Sequence, residues 1–138
     1  MALEHYLRVA RMTVALRCDD ERVDWHWTPA ARRFLVDAAS GAEVTIDVRV
    51  GEPALDREEV LFDSGGVWRL LRDGSRYRIE CRSAPLGEQP YKTAFFDDTF
   101  TRGEIVLAPR VLPLHLNPLE YPLDEVLIAN LLARGRGV

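Results

Sequence analysis

Glu43-Val44-Thr45-Ile46-Asp47-Val48-Arg49-Val50 alternates polar and apolar residues without a break. In an extended chain successive side chains point to opposite faces, so Val44, Ile46, Val48 and Val50 share one face and Glu43, Thr45, Asp47 and Arg49 the other. That is the pattern of a half-buried strand. Arg76-Tyr77-Arg78-Ile79-Glu80-Cys81-Arg82 repeats it, with Tyr77, Ile79 and Cys81 inward and the arginines and Glu80 outward. Val67-Trp68-Arg69-Leu70-Leu71 reads as a third strand, broken off by Ser64-Gly65-Gly66 before it. Arg72-Asp73-Gly74-Ser75 joins it to the next strand, and Asp-Gly is a hairpin signal because glycine accepts positive φ.

Working outward, residues 91–96 and 104–108 form a further candidate hairpin, turning at Asp97-Asp98-Thr99. Residues 6–17 are rich in branched and apolar side chains and read as one strand, with helix as the alternative; residues 30–36 read as another. Proline then recurs at Pro109, Pro113, Pro118 and Pro122. Each ring fixes its own φ and pushes the preceding residue away from helix, so 109–121 is expected to be an extended connector. A helix is expected over 122–134, with Pro122 in its first turn, Asp124 and Glu125 complementing its dipole, and Gly135 capping it. The fold expected is α+β: mainly antiparallel β, as a sheet or sandwich, in one domain over 1–138, with one C-terminal α-helix.

On that helix Leu123, Val126, Leu127, Ile128, Leu131 and Leu132 would cover more than half the circumference. A surface helix needs an apolar stripe of only a little over about 100°. Leu123, Val126, Leu127, Leu131 and Leu132 therefore read as a candidate interface, covered by a homodimer mate or a further domain.

The chain has 138 residues, 47% hydrophobic and 29% charged, a composition that supports a packed globular core. Its net charge of −4 argues against sequence-independent nucleic-acid binding. Lys92 is the sole lysine among 18 basic residues. Genome composition accounts for such a bias; so does selection for planar guanidinium groups that grip carboxylate or phosphate. Cys18 and Cys81 are far apart and form no zinc spacing. No secretory leader or membrane-spanning run is evident, and a cytoplasmic protein with reduced thiols is expected.

No catalytic, cofactor-binding or metal motif emerges. Lys92 follows Tyr91 rather than glycine, so there is no phosphate-binding loop. Gly135-Arg136-Gly137 ends the expected helix instead of preceding one, the wrong context for a dinucleotide site. His5, His26 and His115 lack metal-ligand spacing. Ser64 lacks a nucleophile elbow, and Asp97-Asp98 suits a turn better than paired acids. An enzyme site assembled from Arg78, Asp97, Asp98 and His115 is the remaining catalytic arrangement.

Two surfaces stand out. Arg76, Arg78 and Arg82 share one strand face, with Arg69 across from them. The face is either solvated and balanced by Glu80, or a docking surface for an acidic peptide or phosphate. Trp25 and Trp27 share one side of Trp25-His26-Trp27. With Trp68 and Tyr77 they either pack in the core or line a pocket for a small ligand or peptide.

The C-terminal string carries a resemblance. Asn117-Pro118-Leu119-Glu120-Tyr121-Pro122-Leu123-Asp124-Glu125, followed by Asn130-Leu131-Leu132-Ala133-Arg134-Gly135-Arg136-Gly137-Val138, resembles the segment just upstream of the nucleotide-binding domain in bacterial HPr kinase-like proteins. In that family a short strand and an ATP-holding P-loop follow; the sequence ends before both. The string holds no catalytic residue. The resemblance implies a position: a β-rich accessory domain set against a P-loop kinase-like domain, on the same or a separate polypeptide. It also implies that positioning of a substrate, or regulation, is the domain's contribution. The alternative is an independent β-domain that binds a small ligand or peptide.

Overall fold

A computed structural model describes residues 3–9, 12–23, 25, 27, 29–37, 41–53 and 59–114. Nine strands lie along them: β1 (Leu3–Val9), β2 (Met12–Cys18), β3 (Leu35–Val36), β4 (Val44–Val50), β5 (Glu59–Asp63), β6 (Trp68–Asp73), β7 (Arg76–Cys81), β8 (Lys92–Phe96) and β9 (Arg102–Leu107). They form one sheet in the order β3-β1-β2-β4-β9-β8-β7-β6-β5.

The strand expected over 43–50 is present as β4, and the hairpin through Gly74 joins β6 to β7. Its two-residue loop is Gly74-Ser75, with Gly74 at φ 65°, the glycine-first arrangement of a tight hairpin turn. The hairpin around Asp97 joins β8 to β9. Asp97 builds that turn by accepting N–H bonds from Thr101 at 2.9 Å and Arg102 at 3.3 Å.

Among the described residues the expected α+β, mainly antiparallel class does not hold. The sheet is mixed, because β4 pairs in parallel with β2 on one side and with β9 on the other. Alternation along a strand marks its buried face but is blind to the direction of its neighbour. The long connections β2–β4 and β4–β9 are what parallel pairing requires. Among the described residues helix is confined to one turn at Pro29–Arg32 and two 3-10 segments, Ala84–Leu86 and Pro109–Leu114. The expected extended connector thus begins as a tight 3-10 turn; residues 115–121 and the helix expected over 122–134 lie outside the described residues. The expected single strand over 6–17 is two antiparallel strands, with Val9 paired to Met12. Residues 30–36 split between a helical turn and the short β3.

Register puts one apolar set on a common face. Val14 and Leu16 stand beside Val44 and Ile46, Val48 beside Ile105, Ile105 beside Ala94, and Ala94 beside Ile79. These side chains join a single core cluster, into which the loops contribute Val23, Phe100 and Val111. Phe100 has φ 57°, the one non-glycine residue in the left-handed region among those described. That backbone costs roughly 1–2 kcal/mol. Its ring is held between Phe96 at 5.0 Å and Tyr77 at 5.2 Å, contacts that offset the strain. Gly103 fits beneath the same group: a Cβ there would lie 2.6 Å from the Phe96 ring.

The opposite face divides. Across β1, β2, β4 and β9 it carries charged pairs, with Arg17 between Glu4 (3.6 Å) and Asp47 (3.9 Å) and Arg49 on Glu104 (3.3 Å), while Thr13, Ala15 and Val106 on the same face are buried. Across β6, β7 and β8 it is buried, including Leu71, Arg78, Glu80, Thr93 and Phe95. No helix among the described residues is long and apolar enough to cross a membrane.

Candidate functional site

The β6–β7 hairpin gathers the arginines singled out from sequence. Alternation aims Arg76, Arg78 and Glu80 away from the core, and cross-strand pairing sets Arg69 beside Glu80 and Asp73 beside Arg76. The four guanidinium groups are not equivalent. Arg78 is 1% exposed and sits 2.6 Å from the fully buried carboxylate of Asp73, with its Nε 3.3 Å from Glu80. The sequence expectation that Arg78 faces outward as a docking residue is therefore corrected. A cation at that depth is tolerable only with acids beside it.

Glu80 is the hub of the group. It accepts hydrogen bonds from Arg69 at 2.6 Å and Arg82 at 3.1 Å. Burial alone would raise its carboxyl, but those two bonds and the charge of Arg78 carry it below the usual carboxylate range. Arg76 lies 3.7 Å from Asp73 and places its guanidinium 3.8 Å from the centre of the Phe95 ring, a cation–π contact. The side chains of Arg76 and Arg82 each remain 35% exposed and that of Arg69 22%. The arrangement is a set of surface guanidinium groups whose orientations are fixed from below by two buried carboxylates. Sequence reasoning marks the arginines but passes over Asp73, a turn residue by its Asp-Gly context; the signal for Glu80 was its alternation with Arg78.

The aromatic candidates separate into distinct clusters instead of lining one pocket. Trp25 and Trp27 stack at 5.9 Å with 13° between their planes, and His5 packs against both at 4.7 and 5.3 Å. This cluster closes on the core, and burial lowers the basicity of His5. Trp68 packs on Phe62 at 5.0 Å, while Tyr77 packs on Phe100 and lies under the Arg72 guanidinium at 4.8 Å. The interface candidates Leu123, Val126, Leu127, Leu131 and Leu132 lie outside the described residues, as do His26 and His115.

An open concavity of about 670 Å³ lies where the parallel strands β2 and β4 end, lined by Arg17, Asp20, Arg22, Asp47 and Arg49 among others. Two ion pairs lie within it, Arg22 with Asp20 at 2.7 Å and Arg17 with Asp47 at 3.9 Å, and Asp19 and Glu21 also line it. Among the described residues no three His, Cys, Asp or Glu side chains are grouped to hold a metal ion. Asp97 and Asp98 divide as turn chemistry dictates: Asp97 accepts the turn amides, and Asp98 pairs with Arg72 at 3.0 Å. Neither joins Arg78 in a cleft. Cys81 is buried beside Lys92, and desolvation pushes its thiol up to about 11.

No family model, curated protein or solved structure matches this chain.

Proposed function

We propose that this chain is a non-catalytic accessory domain of an HPr kinase-like system, which positions a protein substrate or regulates an associated P-loop domain. The observation that carries the reading is the β6–β7 hairpin. Arg76, Arg82 and Arg69 reach the surface with their guanidinium groups already oriented by Asp73, Glu80 and the Phe95 ring. Preorganised guanidinium donors suit bidentate recognition of carboxylate or phosphate groups on a partner, because less side-chain freedom is lost on binding. The C-terminal string from Asn117 to Val138 supplies the link to the kinase-like family. It follows the 3-10 turn after β9, so the sheet and the kinase-like string are consecutive in the chain.

Titration of this chain with the P-loop domain of an HPr kinase-like protein, followed by calorimetry and light scattering, tests the proposal. The expected result is a 1:1 complex whose affinity falls about tenfold or more when Arg76 and Arg82 are both replaced by alanine. The absence of heat and of any mass change at about 100 µM would overturn the reading.

A further inference from the structure

We draw no further inference here: the strongest candidate, the exposed apolar edge of the sheet along β5 with Val60, Leu61 and Phe62, carries none, because its end charges Glu59 and Asp63 already stand opposite Arg72 and Arg69 of β6 and nothing in the structure shows what covers it.

Discussion

Replacing Asp73 by asparagine removes the negative charge beside Arg78 while keeping size and shape. In the native chain the Arg78 guanidinium is 1% exposed, 2.6 Å from Asp73 and 3.3 Å from Glu80. Breaking a buried pair by removing one partner costs about 3–5 kcal/mol, because an uncompensated charge remains in a low-dielectric site. Glu80 still supplies part of the compensation, so the lower end, about 3 kcal/mol, is expected. Unfolding entropy of roughly 2 cal/mol/K per residue turns that into a drop in Tm of about 10 °C for this chain length. Urea unfolding followed by tryptophan fluorescence reads the change directly. The double variant Asp73→Asn/Arg78→Met removes both charges and should recover about 2 kcal/mol or more of the loss. A single-variant cost below about 1 kcal/mol, or strict additivity in the cycle, would refute the account of Arg78 as a cation held by Asp73.

Three further outcomes are expected. Gly103→Ala forces a methyl group into the Phe96 ring and should cost about 1–3 kcal/mol in a thermal melt; Phe96→Leu in the same chain should return part of it. Burial holds His5 below its ordinary value of 6.5, so the unfolded chain takes up a proton more readily than the folded one. Stability is full above that value and declines as pH falls through it, and a series of melts should show a flatter profile over that window for His5→Phe. With its thiol at about 11 and no exposed surface, Cys81 should be roughly one part in a thousand thiolate at pH 8. It should react with a thiol reagent only at the rate of unfolding, and rapid labelling of the native chain at Cys81 would contradict its placement.

The strands that sequence reveals are those with alternation or a turn signal beside them, whether their second face is exposed, as on β4, or covered, as on β7. The alternation over 44–50 and the glycine turn between β6 and β7 are local signals, and both appear where expected. Strand β5 escapes because Val60, Leu61 and Phe62 are consecutive and all exposed, so no alternation marks it. The parallel pairing of β2, β4 and β9 escapes because a side-chain pattern carries no information on the direction of a neighbour. At the candidate site the arginines are legible as a row on one face. Their unequal depth is not, since it depends on which parts of the outer face are covered, and only the fold decides that. The spacing of Trp25 and Trp27 does place both on one side, and they stack. Nothing local brings His5, on β1, against them.

The two parallel pairings also bear on how the chain reaches this fold. β1 and β2 can pair through a short reversal, and β5 to β9 follow one another as sequential antiparallel neighbours. Both groups consist of contacts that close quickly. β4 alone joins them, and it must meet β9 far along the chain, with Thr45 against Arg102. Bringing distant segments together pays loop-closure entropy before contacts reward it, so docking of the two halves through β4 is the natural slow step. Substitutions along β4, such as at Val44 or Ile46, would then slow folding, whereas those confined to the β6–β7 hairpin would chiefly speed unfolding.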